Sequence, residues 1–95
     1  MLRWILQLEE VERNDFIQSS VSFLNYNYIS SVDIIRMGVR VNAKDIKDMR
    51  FLGVFKNDVL VFEAPTLDSR SKGKIKRFYE QWGTVKFDGE DENVF

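Results

Sequence analysis

The stretch Met49-Arg50-Phe51-Leu52-Gly53-Val54-Phe55-Lys56-Asn57-Asp58-Val59-Leu60-Val61-Phe62-Glu63-Ala64-Pro65 is the part of the chain on which a fold assignment turns. Two short runs rich in β-branched and aromatic residues flank Asn57-Asp58, a layout that predicts a β-hairpin. A type I′ turn needs positive φ at both central residues. Asn and Asp tolerate that because their short polar side chains bond locally. Pro65, the one proline of the chain, closes the second strand. With a two-residue loop, Phe55 faces Leu60, Val54 faces Val61, Gly53 faces Phe62 and Leu52 faces Glu63, and opposed residues share a sheet face. One face then carries Phe51, Gly53, Phe55, Leu60, Phe62 and Ala64. The other carries Leu52, Val54, Lys56, Val59, Val61 and Glu63.

Upstream, Leu2, Trp4, Leu6 and Leu8 alternate with Arg3, Ile5 and Gln7, which predicts a first strand with one face to a core. A polar link with Glu9, Glu10, Glu12 and Arg13 leads to Asn14 or Asp15, either a preferred helix cap. Behind the cap, Phe16, Ile17, Ser20, Val21, Phe23, Leu24 and Tyr28 fall within one stripe at 100° per residue. Residues 31–42 read as a second strand, with Ile35, Met37, Val39 and Val41 on one face and Ile34, Arg36, Gly38 and Arg40 on the other. Residues 43–48 read as a polar connection with room for one helical turn.

Downstream of Pro65, Asp68, Ser69 or Ser71 is expected to cap a second helix whose Ile75, Phe78, Tyr79 and Trp82 recur at i, i+3, i+4 and i+7. Gly83 is placed to end it, and residues 84–87 form a short last strand. Two β-α-β halves emerge, which predicts an α+β, ferredoxin-like two-layer sandwich. A four- to five-stranded, mostly antiparallel sheet carries two helices on one face. Residues 1–87 are expected to form this single domain, and residues 88–95 an acidic tail. A chain of 95 residues with 44% hydrophobic content has the material for one core without cross-links.

Net charge is −1, but Asp88, Glu90, Asp91 and Glu92 crowd the C-terminal end. Residues 1–87 hold fourteen basic and eleven acidic groups, a mildly basic body. Cysteine and histidine are both absent, which removes thiolate chemistry, the commonest general base and the commonest zinc ligand. The serines have no histidine to activate them, and there is no Gly-x-Ser-x-Gly elbow or phosphate loop. Glu9, Glu10 and Glu12, or Asp45 with Asp48, are carboxylates in polar links, where acids are usually solvated. The chain is therefore expected to be non-enzymatic, with no cofactor or metal. It is also expected to be cytoplasmic, since no apolar run approaches the roughly 18–20 residues of a membrane span.

Two surfaces stand out. Two helices cover one face of a sheet, so the hairpin set Leu52, Val54, Lys56, Val59, Val61 and Glu63 is expected to lie outward and to meet a protein partner or a second copy of the chain. The alternative is nucleic acid or another anion at the start of the second helix, where Arg70, Lys72, Lys74, Lys76 and Arg77 place five positive charges in eight residues. Arg3-Trp4-Ile5-Leu6-Gln7-Leu8 resembles the first-strand signature of the RNA-recognition motif, which shares the expected strand order. Its third-strand signature is missing: residues 56–63 lack the glycine and the stacking aromatics. Trp4, moreover, shares a face with Leu2, Leu6 and Leu8.

Overall fold

The computed structural model describes residues 2–9, 11–27, 31–65 and 69–88, with the backbone alone at 69, 70 and 88. The elements are β1 (Leu2–Leu8), α1 (Arg13–Asn27), β2 (Asp33–Arg36), β3 (Val39–Asn42), α2 (Ile46–Leu52), β4 (Val59–Ala64), α3 (Ser69–Tyr79) and β5 (Gly83–Asp88). One antiparallel sheet has the order β3-β2-β4-β1-β5. Strands β1 and β2 flank β4, and β4 and β5 flank β1. Each α-helical connection, β1-α1-β2 and β4-α3-β5, therefore straddles a strand of the other half, which is the split β-α-β arrangement of a ferredoxin-like sandwich. The α+β expectation holds, with three helices on the covered face rather than two.

The strand alternation of β1 is as read from the sequence: Leu2, Trp4, Leu6 and Leu8 are fully buried. Register makes the core face continuous. Val41, Ile34, Phe62, Trp4 and Phe87 lie side by side across all five strands, with Leu60, Leu6 and Val85 forming a second row. Trp4 and Phe62 stack at 5.0 Å and 6°. The indole Nε1 of Trp4 is buried without a hydrogen-bond partner among the described residues, a cost that the burial of its large ring offsets.

The apolar stripes of α1 and α3 close over these rows. Phe16, Ile17, Ser20 and Leu24 of α1 are buried, as are Ile75 and Tyr79 of α3, with Trp82 in the turn after it. Phe23 and Phe78 stack at 4.0 Å between the two helices. Tyr28 and Asp68 lie outside the described residues. The cap of α1 is Glu12 rather than Asn14 or Asp15. Its carboxylate accepts from the Asn14 and Asp15 amides at 3.3 and 2.7 Å, and its carbonyl accepts from Phe16. Gly83 does not end a helix but opens β5. A Cβ there would fall on the Gln7 carbonyl oxygen, so the close approach of β5 to β1 needs glycine.

The hairpin lies elsewhere than expected. Residues 31–42 fold back at Met37-Gly38, whose φ values of 51° and 82° are both positive as a type I′ turn requires. Ile34 and Val41 consequently share the core face, while Ile35 and Arg40 share the open one. The pairing Phe55–Leu60 and its neighbours do not form, because β4 is central and β1 and β2 occupy both its edges. Residues 46–52 instead form α2. Asp45 caps it by accepting from the Lys47 and Asp48 amides, Met49 and Leu52 face the core, and Gly53 ends it at φ 71°.

Ser20 Oγ and Tyr79 Oη meet at 2.8 Å in the core, joining α1 to α3. Ser20→Ala removes this partner from a buried hydroxyl and should cost about 1–3 kcal/mol in denaturant melts. Tyr79→Phe should cost less, because Ser20 can turn to a carbonyl of its own helix. The double variant should then recover part of the Ser20→Ala loss, because the hydroxyl left without its partner is gone as well. Simple additivity of the two losses would show that the hydroxyls are not coupled.

Candidate functional site

Arg36, the last residue of β2, points to the helix side of the sheet beyond the end of the core. Its Nε donates to Asp58 Oδ2 at 2.7 Å, a second nitrogen reaches Oδ1 at 3.4 Å, and Nη1 donates to the Leu52 carbonyl at 3.3 Å. The guanidinium lies 5.4 Å from the centre of the Phe55 ring. Asp58 also accepts from the Phe55 amide at 2.8 Å, and the Asp58 amide donates to the Phe55 carbonyl. The turn is thus centred on Lys56-Asn57, with Asn57 at φ 72° in the place where a turn favours Asn or Gly. Leu8 closes the loop from the other side, bonding to Asn57 and Asp58 through its backbone. One ion pair therefore ties the β2–β3 hairpin, the end of α2 and the 53–58 loop into one unit.

Around that unit lie four exposed apolar side chains: Phe51 (90% exposed), Met37 (84%), Phe55 (58%) and Val39 (55%). Met37 follows Arg36, Val39 is its cross-strand partner, Phe55 stacks beneath its guanidinium, and Phe51 precedes the Leu52 carbonyl it holds. On α2, Phe51 lines an open groove of about 510 Å³ with Lys47 and Arg50. Arg13, at the start of α1, donates to the Arg50 carbonyl at 2.7 Å and brings another cation to this end.

The predicted interface set is divided by the structure. Val59, Val61 and Glu63 do alternate outward on β4, facing the open side of the sheet, and Lys56 is exposed in the turn. Leu52 and Val54, by contrast, are 7% and 2% exposed and belong to the core. The cause is the helix: with 46–52 coiled above the sheet, Leu52 turns inward with Met49, and Val54 follows it down. Phe51 and Phe55, expected inside, are outside for the same reason. The open face carries the row Arg40, Ile35, Val61, Ile5 and Lys86, beside a second row containing Asp33, Glu63 and Arg3.

Glu63 is nearly buried on that open face between two arginines. Arg3 donates to Oε2 at 3.0 and 2.7 Å, and Arg40 reaches Oε1 at 2.8 Å and Asp33 at 3.0 Å. These hydrogen bonds, from Arg3 first and Arg40 second, hold its carboxyl below the usual glutamate range. Of the basic set, Lys74, Lys76 and Arg77 are exposed on α3 and Lys72 is half-buried, while Arg70 lies in the first turn with its side chain outside the described atoms. The acids of the polar links do structural work. Glu9 accepts from Thr84, Glu12 and Asp45 cap helices, and Asp48 accepts from the Asn42 amide; Glu10 lies outside the described residues. No group of three His, Cys, Asp or Glu is placed to hold a metal ion among the described residues. None of the described helices is long and apolar enough to cross a membrane.

No family model and no curated protein matches the chain. Among solved structures it is similar to HPr-C-His from Thermoanaerobacter tengcongensis, with a TM-score of 0.63 over 85% of this chain and 93% of that one. The fold is HPr-like. At 20% sequence identity the likeness is one of architecture.

Because the folded pKa of Glu63 is lowered, its ion pairs stabilise the fold fully above the ordinary glutamate value of about 4.3, and that contribution fades as pH falls through the lowered value. Glu63→Gln should reduce Tm at neutral pH by about 4–8 °C, the equivalent of about 1 kcal/mol for a domain of this size. The gap to the native chain should close below about pH 4. A gap that stays constant between about pH 7 and pH 3 would show that Glu63 acts through its shape alone.

Proposed function

We propose that the chain is a non-enzymatic, cytoplasmic protein-interaction module that meets its partner through the apolar rim around Arg36, with Met37, Val39, Phe51 and Phe55 as the contact. The observation that carries this reading is the near-complete exposure of Phe51 on a capped helix. Burying such a ring is worth about 1.5–3 kcal/mol, and a cluster of exposed large apolar side chains marks an interaction surface. The rim is held rigid by Arg36–Asp58, so little ordering would be needed on binding. Lys47, Arg50 and Arg13 border it, which suits a partner whose apolar anchor is edged by carboxylates.

The open sheet face is the weaker surface for self-association. Ile5, Ile35 and Val61 are half-buried, and two copies stacked row on row about a two-fold axis would bring Arg40 of one against Lys86 of the other. Chemical cross-linking in a lysate of the source cell, compared across variants, separates the surfaces. Met37→Glu with Phe51→Glu should leave Tm within about 4 °C of native, since exposed substitutions rarely exceed about 0.5 kcal/mol. It should lower capture of the partner at least about 30-fold, the loss of two central anchors. Val61→Glu should keep capture. Loss of the partner with Val61→Glu alone would move the contact to the sheet face, and a dimer by light scattering that Val61→Glu dissolves would make that partner a second copy.

A second reading, nucleic acid on α3, is favoured by the exposure of Lys74, Lys76 and Arg77 along one helix. Lys74→Glu with Arg77→Glu should then abolish retention on heparin at low salt and flatten the salt dependence by about 1.4 log units per log of salt for a single strand. Indifference of retention to both substitutions would end this reading.

A further inference from the structure

The two edges of the sheet are finished differently. On β3, the Asn42 amide donates to Asp48 Oδ2 at 3.1 Å and the Asn42 carbonyl accepts from the Asp45 amide at 3.1 Å, so the start of α2 closes that edge. On β5 the register fixes which backbone groups point away. Leu8 uses its N–H and C=O on the loop beside β4, so those of Arg3, Ile5 and Gln7 turn the other way, to Asp88, Lys86 and Thr84 of β5. The N–H and C=O of Val85 and Phe87 therefore face outward, and no group meets them among the described residues.

This free edge lacks the proline or bulge that often blunts one: β5 pairs six consecutive residues with β1 and contains neither. What it has is positive charge on both sides. Helix α3 packs on β5, with Ile75 and Tyr79 buried and Phe78 turned to Phe23 of α1. The flank opposite Phe78, about 100° round from Ile75, carries the exposed Lys76 over the edge. Below it, Lys86 projects from the open face of β5. The nearby acids with described side chains, Glu9 and Glu80, stand at the Gly83 end, and Glu9 is taken up by Thr84. Phe87 is half-buried at the end of the core row that runs through Phe62 and Trp4, so an added strand would extend that row.

We infer that the outer edge of β5 is a second docking site, which takes an extended acidic segment of a partner protein as a sixth strand. The backbone of that segment bonds to Val85 and Phe87, its apolar side chains lie beside Phe87 on the helix side, and its carboxylates meet Lys86 and Lys76. A second copy of the chain is the poorer occupant. Pairing β5 with itself about a two-fold axis at Lys86 sets that lysine against its own copy, and any two-fold pairing brings the two Lys76 flanks together. An acidic strand meets the same lysines as partners. The site lies at the opposite edge of the sheet from β3 and the Arg36 rim, and does not depend on that contact.

The probe is a capped peptide that alternates glutamate with valine, with a lysine-for-glutamate peptide as its counterpart, and the readout is amide NMR of the full chain. In the free chain the Val85 and Phe87 amides should exchange with solvent at least about tenfold faster than those of Thr84 and Lys86. The acidic peptide, at millimolar concentration, should shift and protect both outward amides, and the lysine peptide should not. Lys86→Glu should weaken the acidic peptide about fivefold. Phe87→Pro removes an outward N–H and no bond to β1, and should bind about tenfold more weakly than Phe87→Val, which keeps that N–H. Protection of Val85 and Phe87 in the free chain would overturn the inference: if independent of concentration, the chain covers its own edge, and if dependent on it, a second copy does. So would equal affinity of the two Phe87 variants, an equal response to both peptides, no response at Val85 and Phe87, or shifts confined to α3, which mean anion binding by the helix alone.

Discussion

The structure depends on Tyr79. Its ring lies 5.0 Å from Phe62, 6.3 Å from Trp4, 5.8 Å from Phe23 and 6.4 Å from Phe16, so a single side chain touches both central strands and the first helix. Its hydroxyl reaches Ser20, which sets the rotation of α1 against α3. Aromatic pairs at these separations add about 0.5–1.5 kcal/mol each beyond the area they bury. Their geometric consequence matters more: with β1 and β4 held beneath Tyr79, the two β-α-β crossovers have no alternative but to place β2 and β5 outside them.

That centring of β4 decides where the unusual surface goes. A strand with both edges occupied cannot take residues 49–55 as a hairpin partner, so the segment must satisfy its own backbone, and a capped helix does so. Coiling reverses the faces. Leu52 and Val54 turn inward, and Phe51 and Phe55 are left outside. The apolar rim follows from strand order combined with a seven-residue helix, and the Arg36–Asp58 pair then stops the resulting loop from collapsing over it.

Strands and helices with a clean period were legible in the sequence. The alternation of β1, the stripe of α1 and the Ile75–Tyr79–Trp82 face of α3 all occupy the positions their spacing implies. Two signals were outweighed. Asp45, with Asp48 three residues on and Gly53 beyond, is a start-and-stop signature for a short helix. It lay under a run of residues 49–55 that looked strand-like in composition but does not alternate. Met37-Gly38 is hidden differently: glycine inside an apolar run reads as part of one long strand, though a turn at that place puts four residues on either side in register. The Arg36 site could not be read locally, because its parts come from positions 36, 52, 55 and 58, and only the sheet order brings them together.

The two ion-pair centres sit in different places, one on the open face of the sheet and one at the end beyond its core. Glu63 draws Arg3 and Arg40 together on the open sheet face, with Asp33 as a second partner of Arg40. Long arginine stems can shield apolar area while their heads remain wet, and Ile5, Ile35 and Val61 on the same face are half-buried. Arg36 does the opposite. Spent inward on Asp58 and the Leu52 carbonyl, its guanidinium is largely withdrawn from solvent and covers none of the Phe51, Met37 and Val39 side chains around it. The same residue type thus masks one surface and exposes another. The difference lies in whether its carboxylate partner is on the open face of the sheet or in the loop at its end.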